Sequence, residues 1–127
     1  MSQFREITSG NELTYGKVVD PNTSEALVPV VVVDQQRLAL DGLTAIRMQG
    51  WANREAVDIT FQTGNVTFWS RSKQGLWTKG EESGNFLLLR AAYTDCDSDS
   101  LLLDAEPIGP TCHTGAQSCF EVADGEF

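Results

Sequence analysis

Between positions 95 and 119 the sequence gathers Asp95, Cys96, Asp97, Asp99, Cys112, His113 and Cys119, the residue types that hold metals and move protons. Cys96, Cys112 and Cys119 could form a three-thiolate zinc site, because thiolates are soft ligands and Zn2+ takes a tetrahedral set of four. Three protein ligands leave one corner for water, whose pKa the metal lowers from about 15.7 toward about 7, so that hydroxide is available at neutral pH. That pattern is catalytic rather than structural. The competing reading is three unrelated buried thiols, since no Cys-x-x-Cys is present. Three cysteines cannot pair among themselves without leaving one over, so a disulfide framework explains them less well than metal ligation in a reducing compartment.

Asp95, Asp97 and Asp99 alternate around Cys96 in the run Asp-Cys-Asp-Ser-Asp. In an extended backbone, residues two apart share a face, which predicts three carboxylates on one side and Cys96 on the other. Like charges so close call for a cation, and a hard ion such as Mg2+ suits oxygen ligands. Two metals of different character are therefore implied, with a solvated acidic turn as the alternative. An EF-hand is rejected, because its sixth place is Ser100 rather than Gly and Leu101 to Leu103 read as strand. His113, the single histidine, could be a general acid or base, a fourth ligand or a surface residue, and its place beside Cys112 favours the first.

From Ile59 to Gly80 there are three cations, Arg71, Lys73 and Lys79, and no acid, whereas from Asp95 onward there are eight acids and no Lys or Arg. Hydroxyls, guanidinium groups and backbone N–H bind phosphate oxygens and an indole stacks on a base, so Phe68 to Gly84 reads as a nucleotide surface. The alternative is a hairpin with ordinary solvated cations. A net charge of −9 argues against a general nucleic-acid binder, whose affinity rests on many Lys and Arg.

The elements that must position these groups are short and punctuated. At 127 residues the chain fits one domain. Val28 to Val33 reads as a buried strand with Pro29 near its start or on an edge. Leu43 to Met48, Val66 to Ser70, Phe86 to Thr94 and Leu101 to Glu106 read as further strands, with a short one near Tyr15 to Val19. Asn53 caps a predicted helix over Arg54 to Gln62, with Gly64 just past its end and Ala56, Val57 and Phe61 facing inward. The class is mainly β (α+β), with one or two helices. The continuous apolar runs at Phe86 to Leu89 and Leu101 to Leu103 suggest strands covered on both faces, and in so short a chain a second subunit is a natural cover. The first 20 residues lack a signal-peptide pattern, and no apolar run approaches the ~20 residues needed to span a bilayer, so a soluble cytoplasmic protein is expected.

The segment Phe68 to Gly84, with Asp95-Cys96-Asp97-Ser98-Asp99, Gly109-Pro110-Thr111-Cys112-His113-Thr114-Gly115 and Ser118-Cys119-Phe120, resembles phosphoribosyl-AMP cyclohydrolases. The resemblance covers residues 27–120, leaving 1–26 as an N-terminal extension and 121–127 as a tail. It implies a pseudobarrel-like, intertwined homodimer with zinc on Cys96, Cys112 and Cys119 drawn from both subunits, and magnesium on Asp95, Asp97 and Asp99. It further implies water addition at C6 of the purine of phosphoribosyl-AMP and cleavage of the N1–C6 bond. In that reading His113 shuttles protons, Arg71, Ser72 and Lys79 hold phosphate or ribose, Trp77 stacks, and Glu81 and Ser83 complete the substrate-contacting set. Relatives commonly read Tyr-Met-Asn and His-Tyr where this chain has Trp51-Ala52-Asn53 and Thr67-Phe68. A non-catalytic zinc- and nucleotide-binding paralogue is the alternative that these departures raise.

Overall fold

The computed structural model describes residues 3–125, so the outermost ends of the extension and of the tail lie outside the described residues. The fold is built outward from β3 (Ala26–Val33), whose Val28, Val30 and Val32 are buried. That alternation sends every second β-branched side chain into the core, as a strand with one covered face requires. β3 pairs antiparallel with β4 (Ile46–Ala52) on one side and parallel with β8 (Leu101–Pro107) on the other. β8 then pairs with β7 (Leu87–Thr94), and β7 with β1 (Arg5–Ile7), while β2 (Val18–Val19) pairs with the start of β3. Opposite β4, Pro29 falls in the gap between the β2 pairs, which end at Leu27, and the β8 pairs, which begin at Val30. A residue without an N–H is tolerated in such a gap. The sheet is open, and β5 (Thr67–Ser70) and β6 (Gly75–Thr78) form a separate hairpin.

The helix appears where its end signals put it, as α2 (Arg54–Thr63) after the four-residue α1 (Leu38–Asp41). Asn53 accepts the Ala56 N–H, and Gly64 takes the left-handed conformation at φ 77° that closes a helix. Ala56, Val57 and Thr60 are its buried face, and Phe61 is only half-buried. Thr60 is accommodated there because its hydroxyl donates to the Ala56 carbonyl and accepts the Thr67 N–H. One strand begins later than expected. Gly42 at φ 60° reverses the chain into a 3-10 turn through Ala45, so Leu43 is exposed and β4 starts at Ile46.

Two bulges interrupt the sheet. In β4 the register passes from Met48 opposite Val32 to Ile46 opposite Val33, which leaves Arg47 as the extra residue. In β7 it passes from Leu89 opposite Ala105 to Ala91 opposite Asp104, which leaves Arg90 extra. The leucine runs are buried on one face, Leu87, Leu101 and Leu103, while Leu88 and Leu102 are half-buried.

Candidate active site

Past β8 the chain folds into a tight loop. The Thr111 and Cys112 N–H groups donate to the carbonyls of Gln117 and Ala116, and Gly115 N–H returns to the Cys112 carbonyl. Gly109, at φ 76°, enters this loop where a Cβ would lie 2.5 Å from Asn85 Oδ1. The far end is fixed to β4, since Cys119 N–H donates to the Arg47 carbonyl at 2.7 Å and Ser118 Oγ to the Ile46 carbonyl. These ties bring the thiols of Cys112 and Cys119 close enough to shift each other's ionisation. The Thr114 hydroxyl donates to Cys112 Sγ at 3.1 Å and lowers its pKa, with the Thr114 N–H assisting. Although Cys119 is exposed as a residue, desolvation of its sulfur by the loop pushes its pKa up, and the neighbouring Cys112 charge adds to that.

Both thiols border a cleft of about 460 Å³ whose walls include Lys79, His113, Trp77, Ser83 and Met48. Lys79 is buried, its ammonium donates to the Asn85 carbonyl at 3.5 Å, and its charge favours both thiolates. Gly80 allows this turn, because at φ 93° a Cβ would meet Phe86 N at 2.5 Å. A second recess of about 280 Å³ shares Met48 and Trp77 with the cleft and holds Arg71 and Ser72. There the Arg71 guanidinium stands 5.0 Å from the Trp51 ring, in cation–π range. Five of the six expected substrate contacts thus line two adjoining recesses, and exposed Glu81 borders neither. Thr67 is buried and bonds Thr78 Oγ1 at 2.9 Å, so it fastens the β5–β6 hairpin instead of facing either recess.

The aspartate run departs from the extended backbone expected of it. Residues 95–99 curl into a turn with Ser98 at φ 62°, and the Asp99 N–H donates to Asp95 Oδ1. Cys96 accordingly does not face away from the carboxylates, because its thiol donates to Asp97 Oδ1 at 3.3 Å, which raises its pKa. Lys17, a residue that no local signal marked, sits with its ammonium 2.8 Å from Asp99 and 3.6 Å from Asp97 and holds the Asp99 carboxyl below its usual range. The Thr14 N–H and Arg5 guanidinium also bond Ser98, so the N-terminal segment clasps this turn. Among the described residues no three His, Cys, Asp or Glu side chains converge as a metal site, and one chain brings together only two of its thiols. The chemistry of the donors still suits the two ions: soft thiols beside a lysine in one place, hard carboxylates around an ammonium in the other.

Residues 48–121 match the family model described as Phosphoribosyl-AMP cyclohydrolase. Similar curated proteins include the histidine biosynthesis bifunctional protein HisIE of Xanthomonas axonopodis pv. citri, 48% identical over 122 residues that are 96% of this chain and 55% of the relative. Those of Xanthomonas campestris pv. campestris and Photorhabdus laumondii subsp. laumondii are 50% and 52% identical, over 86% and 80% of this chain and 50% and 47% of theirs. The chain spans about half the length of the curated relatives it matches.

Proposed function

The chain belongs to the phosphoribosyl-AMP cyclohydrolase family, and on that membership and the cleft around Cys112 and Cys119 we propose that it hydrolyses the N1–C6 bond of the purine of phosphoribosyl-AMP in histidine biosynthesis. The product is an imidazole carboxamide carrying a formimino-linked phosphoribosyl group. The observation that carries this reading is the pair of interacting thiols beside buried Lys79, in a cleft that also holds His113 and Trp77.

In this reading Cys112 and Cys119 hold zinc together with Cys96 of a second copy, and Asp95, Asp97 and Asp99 hold magnesium in place of the Lys17 ammonium. Zinc, when bound, supplies the Lewis acid that activates water for attack at C6. The chain's own residues do the remainder. Trp77 offers an indole face for the purine, while Arg71, Ser72, Lys79 and Ser83 bind phosphate and ribose oxygens from the two recesses. His113, exposed at the cleft mouth, accepts the proton of the attacking water and returns one to N1 as the C–N bond breaks. The protein is then a cytoplasmic homodimer whose sites form at the subunit interface, which supplies the third thiolate that a single chain lacks.

The test is the absorbance change on adding phosphoribosyl-AMP to protein of measured zinc and magnesium content. Turnover is expected, and Cys112→Ser is expected to abolish it, because loss of a ligand dismantles the centre. Metal-loaded protein that binds the nucleotide without a spectral change would establish the non-catalytic alternative.

A further inference from the structure

The two bulged residues are both arginines, and both line one cavity of about 560 Å³ behind the cysteine loop. Bulges re-aim side chains and are enriched beside functional sites. Met48 borders the cysteine cleft and Arg47 this second cavity, and the two linings share no residue. The cavity is therefore separate from the cleft.

Its charges are unevenly shared. Arg90 is held by two buried carboxylates, Asp34 and Asp104, and by the Ala105 carbonyl. Arg37 is matched one to one by Asp41. Arg47, only 6% exposed, makes no ion pair among the described residues, and its guanidinium donates to Gln117 alone, through the carbonyl at 2.6 Å and Oε1 at 3.3 Å. The Nε atoms of both Arg47 and Arg90 are buried without a hydrogen-bond partner. A buried guanidinium without a counter-charge is costly, as is a buried donor without an acceptor.

β4 and β8 flank β3 on opposite sides, so the cavity has Asp34 and Glu106 on the Arg90 side, where Asp104 behind the wall already shares that guanidinium, and the unmatched positive charge of Arg47 on the other. A phosphate dianion would satisfy Arg47 but would add two charges to a wall that already holds Asp34, Asp41 and Glu106. A ligand with separated charges of both signs meets both ends without changing the sum. We propose that this cavity binds a free α-amino acid, its carboxylate on Arg47 and its ammonium toward Asp34 and Glu106 on the Arg90 side. The wall beyond the charges is polar, with Gln36, Thr44 and Gln117, which suits a polar side chain over an aliphatic one. Because Arg47 also holds the Gln117 carbonyl and the Cys119 N–H, occupancy reaches the loop that carries the two cysteines.

The test is thermal unfolding and titration calorimetry of the full chain with each of the twenty common L-amino acids, inorganic phosphate, acetate and methylammonium. At least one polar amino acid is expected to bind and to raise Tm by roughly 5 °C at about ten times its Kd. Its amide and its N-acetyl derivative, each lacking one charge, are expected to bind about 30-fold or more weakly, since each leaves a buried charge unpaired. Arg47→Met is expected to lose binding, and the derivative comparison on unaltered protein stands whether or not that variant folds. No binding by any of the twenty, or phosphate or acetate alone binding as tightly as the best amino acid, overturns the proposal.

Discussion

Because one chain brings Cys112 and Cys119 together and leaves Cys96 on the aspartate turn, the proposed zinc site can be divided between two inactive proteins. Cys96→Ser and Cys112→Ser are each expected to be inactive alone. In a two-fold dimer each site takes Cys96 from one copy and Cys112 with Cys119 from the other. A mixed dimer of the two variants therefore has one site with all three thiols and one that lacks two. Random exchange of equal amounts makes about half the dimers mixed, with one of two sites intact, so activity recovers to about one quarter of the unaltered protein. Zinc content is expected to rise in step. Mixing Cys112→Ser with Cys119→Ser is the control: both changes fall in the same half of the site, every site stays broken, and no activity returns. The assay is the absorbance change after subunit exchange, with exchange verified by native mass spectrometry of chains of different mass. Proven exchange without recovery in the first mixture, or equal recovery in the control, would refute the shared site.

Gly50→Ala drives a Cβ to 2.7 Å from Phe68 Cδ1, and Phe68 is too buried to yield, so a loss of about 1–3 kcal/mol is expected, read as a Tm lower by roughly 4–11 °C. Phe68 packs on Trp77 at 5.8 Å between centroids, so the same variant is expected to raise KM more than it lowers kcat. Asn53→Ala removes the cap on the Ala56 N–H and is expected to cost about 1 kcal/mol, roughly 4 °C in Tm by calorimetry. In metal-free protein, iodoacetamide is expected to modify Cys112 first, because the Thr114 hydroxyl lowers its pKa while Asp97 raises that of Cys96 and desolvation of its sulfur that of Cys119. A lowered thiol pKa means thiolate at lower pH, so its alkylation begins at lower pH than the other two, and Thr114→Val is expected to erase that lead in a peptide-mapping time course.

What could be read from the sequence was what neighbouring residues decide. Asn53 and Gly64 delimit α2 through bonds to residues three or four away, and the valines of β3 declare their face by period two. Thr114 lay within reach of the same reasoning, two residues from the thiol it holds. Lys17, Arg47 and Asn85 did not, because their roles come from partners far along the chain: Asp99, Gln117 and, for Asn85, the glycine at 109. β1 was missed because Arg5–Ile7 offers three residues and gains its place only by pairing with the end of β7. β6 corresponds to the second arm of the hairpin that stands as the alternative for Phe68 to Gly84, and there Leu76 and Trp77 pair with Trp69 and Phe68.

The aspartate run was misread for a reason that bears on the chemistry. Alternating Asp-x-Asp-x-Asp is compatible with an extended chain or a turn, and the choice rests on Ser98, which adopts φ 62° without being a glycine or asparagine that would announce it. The extended form would have put thiol and carboxylates on opposite faces and their metals apart. The turn puts the Cys96 thiol against Asp97, with Asp99 tied to Asp95 by its own N–H. If Cys96 completes the thiol pair of another copy, the carboxylates travel with it, and a hard cation and a soft one become neighbours. Asp97, with Asp95 behind it, raises the Cys96 pKa and holds back its thiolate, so neutralising Asp97 favours the thiolate that the proposed zinc site requires, and Lys17, 3.6 Å from Asp97, is placed to do this.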